Sequence, residues 1–189
     1  MHIAPAATTI AELLAAGYEL ALAPTTGYSN ADSTYAEVIQ GRGDEATLSL
    51  GHSRGTIVQT NGNNIAADNG YTNDLLTVMG VGGAVSEDAY RAAADRITHT
   101  PERTTFTYMR KDPVSVIAAG NPGDALAAFA EFFNVMASDN SAHSCYGTGA
   151  PGCNTIANPV PGGPAPSNQQ PGNVMIYQGG VLQNRNGEK

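Results

Sequence analysis

Residues 46 to 58, ATLSLGHSRGTIV, constrain this chain more than any other stretch. Strand-forming residues 46–50 run into Gly51-His52-Ser53-Arg54-Gly55, and a helix is expected from 54 to about 67. A chain passes from strand to helix around one serine only on a strained turn, where neighbouring side chains would clash and glycine is favoured. The G-x-S-x-G spacing alone is weak evidence, because 22 glycines and 10 serines give about 0.13 matches by chance. Its position between a strand and a helix raises its weight. A strand that hands over directly to a helix is also the first half of a β-α-β unit, which implies a parallel sheet.

The remaining segments fit that reading. TTIAELLAAG has a capping box, with Thr9 as N-cap, Glu12 three residues on and Gly17 as the stop. YELALA (18–23) alternates like a strand, and DSTYAEVIQG (32–41) reads as a helix with Tyr35, Val38 and Ile39 on one face. LLTVMGV (75–81) is a near-continuous apolar run, typical of a strand buried on both faces. SEDAYRAAADRI is a helix capped by Ser86, and TTFTYM (104–109) is a strand. DALAAFAEFFNVM is a helix started by Asp124, with Leu126, Phe129, Phe133 and Met136 on one stripe. Strands and helices therefore alternate up to residue 136. This order predicts an α/β class with right-handed crossovers and a three-layer sandwich around a mostly parallel sheet of about five strands. Residues 1–150 form the expected domain. Residues 151–189 form a Pro/Gly-rich extended segment in which NVMIYQ (173–178) adds an edge strand and NRNGEK is a frayed tail.

Charge removes several function classes. A net charge of -8 with nine Lys+Arg argues against nucleic acid, because phosphate affinity comes from clustered cations. It argues equally against electrostatic attraction to anionic lipid. No apolar run reaches the roughly 20 residues of a transmembrane helix. The N-terminus lacks the basic region of a secretory signal and reads as the approach to a capped helix, so the chain is expected to be a piece of a longer parent. Cys145 and Cys153, in CYGTGAPGC, are expected to close a small disulfide loop, which would imply an oxidising compartment, two free thiols being the alternative. Only His143 is near them, so no metal site is expected, and no cofactor is called for.

A nucleophilic serine needs a base, and the base needs an orienting acid. His2 is terminal, and His52 lies inside the elbow, expected to point away from Ser53. His99, in ITHTPE, reads as a solvated residue after a helix. His143, in NSAHSCYG, follows the last helix and leaves room for a strand-end acid before it. That acid is Asp112 in TFTYMRKDPVSVI, just past a strand's C-terminal end, where open α/β sheets place their sites. Asp-Pro also serves as a plain turn. Asp124 reads as a helix cap. The expected set is Ser53 as nucleophile, His143 as base and Asp112 as orienting acid, with the Arg54 N–H as one oxyanion donor at a helix N-terminus.

LSLGHSRGT resembles the nucleophile elbow of α/β-hydrolases, especially the class 3 lipases. LLTVMGVGGAV is similar to their following strand and turn. FTYMRKDPVSVI is similar to their strand ending in Asp-x-Val-Pro, with Ser115 here in place of the proline. The resemblance spans about residues 18 to 146. It implies a small α/β-hydrolase-like sandwich and a serine esterase or lipase acting on carboxylic or phospholipid esters. In that family a loop after an earlier strand supplies the second oxyanion donor. The matching loop is APTTG, so Thr25 and Thr26 are candidates, a plain turn being the alternative. APTTGYSNADSTYAEVI, GHSRGTIVQTNGNNIAADNG and AHSCYGTGAPGC resemble a domain at the C-terminal end of filamentous haemagglutinin-type exoproteins. Those are surface adhesins of Gram-negative bacteria, whose C-terminal ends are often toxic effectors with dedicated immunity partners. The resemblance thus implies a secreted or cell-surface setting, a cognate immunity protein and an ester or lipid substrate. The competing expectations are an inactive hydrolase-fold adhesin or interaction module, and a serine peptidase or acyltransferase on the same three residues. Tyr28, Val114, Val116 and Ile117 are the apolar residues expected beside the site, too few for a deep acyl tunnel.

Overall fold

The computed structural model describes residues 27–137, 143, 174–178 and 181–184. The expected helix at 9–17 and strand at 18–23 lie outside the described residues. Helix α1 (Asn30–Gln40) begins ahead of the expected Asp32 because Ser29 and Asp32 cap each other. The Ser29 hydroxyl accepts from the Asp32 N–H at 3.2 Å, and the Asp32 carboxylate accepts from the Ser29 N–H at 2.8 Å. The buried face of α1 carries Ala36 and Ile39, while Val38 points to solvent instead of joining them.

Strands β1 (Thr47–His52), β2 (Leu76–Val81) and β3 (Thr104–Met109) pair side by side and parallel. Helix α2 (Arg54–Asp68) crosses from β1 to β2, and α3 (Glu87–Asp95) from β2 to β3. Ser86 caps α3 by accepting from the Ala89 N–H at 3.3 Å. Strands β4 (Val174–Gln178) and β5 (Val181–Asn184) extend the sheet antiparallel, in the order β1-β2-β3-β4-β5. The segment expected as an edge strand is therefore flanked on both sides, and β5, which has no counterpart in the sequence reading, takes the edge.

Period-2 alternation sorts the strand residues between two faces. Ser49, Gly51, Gly80, Phe106 and Tyr108 share the face under α1, α2 and α3. Tyr90 of α3 meets Phe106 with ring centroids 4.9 Å apart, and Phe106 meets Tyr108 at 5.8 Å. Gln59 of α2 donates to the Ser49 hydroxyl at 2.7 Å and accepts from the Tyr90 hydroxyl at 2.9 Å. Helix α2 shows weak apolar periodicity because it buries Thr56, Gln59, Thr60 and Asn63 beside Ile57 and Ala66. Part of its contact is made by hydrogen bonds in place of an apolar stripe.

The opposite face is less covered by the described residues. Leu48 is 63% exposed and Leu50 58% exposed. Helix α4 (Ala125–Ala137) packs on the turn Val114–Ala118, with the Asp124 carboxylate accepting from the Ala127 N–H at 3.0 Å. Its expected apolar stripe does not lie in the core at its near end: Leu126 is 82% exposed and Ala128 is the buried residue. Among the described residues, no helix is long and apolar enough to cross a membrane.

Candidate active site

Every residue of the expected triad sits at the C-terminal edge of the parallel strands. Strand β1 runs past Leu50 through His52, and the direction changes at Ser53 alone. Ser53 has φ 53° and ψ -124°, and it is the one non-glycine residue with positive φ among the described residues. Such a backbone costs on the order of 1–3 kcal/mol and persists only where the surroundings hold it. Its N–H donates to the Val81 carbonyl at 3.1 Å, which extends the β ladder by one bond. Its carbonyl accepts from the Thr56 N–H at 3.0 Å and the Thr56 hydroxyl at 2.7 Å. The Ser53 side chain does not cap α2 and points instead at a histidine.

The glycines on either side are not equivalent. A methyl group at Gly51 would strike the Gln59 amide and approach the Gly55 carbonyl at 2.9 Å. At Gly55 it would meet open space. The steric need expected for both positions therefore holds at Gly51 only, because α2 leans Gln59 over β1.

Asp112 follows β3 and is completely buried. One carboxylate oxygen accepts from the Val114 N–H at 2.8 Å and the Ser115 N–H at 3.3 Å. The Asp-Pro turn is thus both a turn and a cradle, with the carboxylate held by the backbone it starts. Ser115 donates its hydroxyl proton to the Gly83 carbonyl at 2.8 Å, which ties the Asp112 loop to the β2–α3 turn.

His143 joins the two. Its Nδ1 is 3.1 Å from both Asp112 carboxylate oxygens, and its Nε2 is 2.8 Å from the Ser53 Oγ. A carboxylate accepts only, so Nδ1 carries the proton and Nε2 offers its lone pair to the serine hydroxyl. Burial by itself would push the His143 pKa down. The Asp112 carboxylate outweighs that by charge and hydrogen bond, and holds the imidazole above its ordinary value.

Arg54 is the first residue of α2, so its N–H stands at the positive end of the helix dipole beside Ser53. Thr25 and Thr26 lie outside the described residues, as do Cys145 and Cys153. Of the four apolar residues expected beside the site, Val114 and Val116 are buried in the core, and only Tyr28 and Ile117 are exposed. A cavity of about 470 Å³ opens at the other end of the sheet, lined by Leu48, Leu75, Thr77, Met79 and Arg103 among others. It does not touch the triad. His99 lies there as well, paired on the surface with Asp74 at 3.1 Å, so it does not serve Ser53.

One neighbour escaped the sequence reading. The ring of His52 does not point away from the site but stacks on His143, with centroids 5.2 Å apart and planes at 23°. Its Nε2 is 3.3 Å from the His143 carbonyl oxygen. Ending the strand at Leu50 hid this. Carried two residues further, the alternation puts His52 on the face opposite Gly51, where the chain returns with His143.

No protein-family model matches this chain, and neither does any curated protein or solved structure compared with it.

Proposed function

We propose that the chain is a serine ester hydrolase of the α/β-hydrolase kind, similar in its motifs to class 3 lipases. One observation carries this reading: the imidazole of His143 bridges Ser53 and the buried Asp112, while Ser53, alone among the described non-glycine residues, adopts a strained turn. Satisfying a core histidine does not require that strain.

The chemistry follows from the geometry. Ser53 Oγ attacks the ester carbonyl carbon while its proton passes to His143 Nε2. Asp112 keeps the tautomer and stabilises the imidazolium. Negative charge gathers on the carbonyl oxygen, facing the Arg54 N–H, with Thr25 or Thr26 as the second donor. The tetrahedral species expels the alcohol, which takes the proton from His143. Water then gives a proton to His143 as its oxygen attacks the acyl-serine; the acyl–Oγ bond breaks, Ser53 Oγ takes that proton back from His143, and the carboxylic acid leaves.

Of the apolar residues expected beside the site, Tyr28 and Ile117 are the exposed ones among the described residues, which suits a shallow cleft, so short acyl chains should be preferred. A p-nitrophenyl ester series should peak at acetate or butyrate, whereas a peak at long chains would show a deeper apolar cleft than Tyr28 and Ile117 provide. Labelling by a fluorophosphonate probe tests the reading as a whole. Uptake at Ser53 supports an enzyme, and an unlabelled folded protein points to an inert adhesin or interaction module.

The exoprotein-like motifs extend the proposal to the end of a secreted bacterial protein that acts on ester or phospholipid substrate and is matched by an immunity partner. Toxicity on export to the periplasm, lost in Ser53→Ala, is the expected sign of that role.

A further inference from the structure

We infer that His52 is the positioning residue of the site, holding His143 by ring and by backbone together. The inference rests on the hydrolase reading and deepens it. His52 is the last residue of β1, in register with Val81, so a rigid strand fixes its Cα. From there its imidazole makes two contacts with the same residue. The ring stacks on the His143 ring, which limits rotation of the base out of the plane shared by Ser53 and Asp112. Its Nε2–H donates to the His143 carbonyl, which sets the height of the incoming backbone over the sheet edge.

The two contacts answer one physical need. Ser53 and Asp112 belong to adjacent strand-end turns that the sheet already aligns, but His143 arrives from the chain beyond α4. A base misplaced by about 1 Å costs about 10²-fold in rate. A clamp from the residue next to the nucleophile makes the base and the nucleophile share one anchor.

The hydrogen bond requires the His52 proton on Nε2, leaving Nδ1 as the acceptor of a neutral ring. Crowding of the ring by surrounding protein, and then the nearby charge of His143, hold the His52 pKa below its ordinary value, which favours that neutral form.

The test separates the two contacts. His52→Phe keeps the stack and loses the donor, His52→Gln keeps a donor and loses the stack, and His52→Ala loses both. In His52→Ala, kcat on a short ester should fall about 10- to 100-fold with KM within about twofold, because the base is displaced while the cleft is not. Phe and Gln should each recover part of the loss. The downfield Nδ1 proton of His143, read by NMR in the same proteins, should be lost to exchange in His52→Ala and retained in His52→Gln. This second readout does not depend on turnover. A wild type that takes up fluorophosphonate, with His52→Ala unchanged in both kcat and the His143 proton, would overturn the inference and leave the hydrolase reading intact. A wild type that neither labels nor turns over, with the His143 proton still lost in His52→Ala, would remove the hydrolase reading and keep His52 as the clamp. If His52→Ala does not fold, wild-type behaviour of both the Phe and Gln variants overturns the inference.

Discussion

Two turns stand side by side at the C-terminal edge of the sheet, and they solve the same backbone problem with different residues. Ser53 follows β1 and donates its N–H to the Val81 carbonyl, and Gly82 follows β2 and donates its N–H to the Thr107 carbonyl at 2.8 Å. Their φ angles are 53° and 56°. At Gly82 that angle carries no steric cost, whereas at Ser53 a Cβ has to be accommodated. The chain leaves the two turns differently as well. Helix α2 starts at the residue after Ser53, while α3 waits until Glu87. The residues between Gly82 and α3 act as braces: Gly83 holds Ser115, the Ala84 N–H donates to the Thr56 hydroxyl at 3.0 Å, and the Val85 carbonyl accepts from Asn121 at 3.1 Å. One turn presents a side chain, and its neighbour uses backbone groups to keep that side chain and its acid in place.

The largest expected effect isolates the presented side chain. Ser53→Ala and His143→Ala should each reduce ester turnover about 10⁵- to 10⁶-fold while the fold survives. Ser53→Gly should be equally inactive yet more stable than Ser53→Ala by about 1 kcal/mol in urea melts, because glycine removes the backbone cost. Equal stability of these two would mean that Ser53 stores no strain and that its likeness to Gly82 is only numerical.

Asp112→Asn comes next. An amide cannot hold the Nδ1 proton as a carboxylate does, so kcat should fall on the order of 10³- to 10⁴-fold. The acid limb of the kcat/KM profile should move as well. The base works unprotonated, so activity rises with pH through the His143 pKa. With Asp112 present that limb lies above the ordinary histidine value of about 6.5, and with the charge removed burial prevails and the limb shifts downward. An unchanged limb in the variant would show that Asp112 does not set the base.

Smaller effects test the glycines. Gly51→Ala should cost about 1–3 kcal/mol through overpacking against Gln59. Gly82→Ala should cost about 1–2 kcal/mol through its φ. Gly55→Ala should stay within about 0.5 kcal/mol. A large loss at Gly55 would restore the symmetric view of the elbow in which both glycines are needed.

Sequence alone went far where information is local. Strand β3 spans the expected residues 104–109, Ser86 and Asp124 cap the helices they were expected to cap, and Ser53 lies between a strand and a helix. Periodicity, caps and turn glycines are properties of a few neighbouring residues, so the string carries them. The candidate set Ser53, Asp112 and His143 was legible through the resemblance, since α/β-hydrolases carry their serine, acid and histidine in that order along the chain. Tertiary structure decided the rest. The exposure of Leu126, the burial of Val114 and Val116, and the freedom at Gly55 depend on what packs across the sheet, and local pattern does not encode the partner. The placement of β4 between β3 and β5 depends on pairing between segments far apart in the chain. His52 shows the limit most clearly: a residue of the elbow in the sequence, it becomes a neighbour of His143 only because a sheet edge and a returning chain meet at a single point.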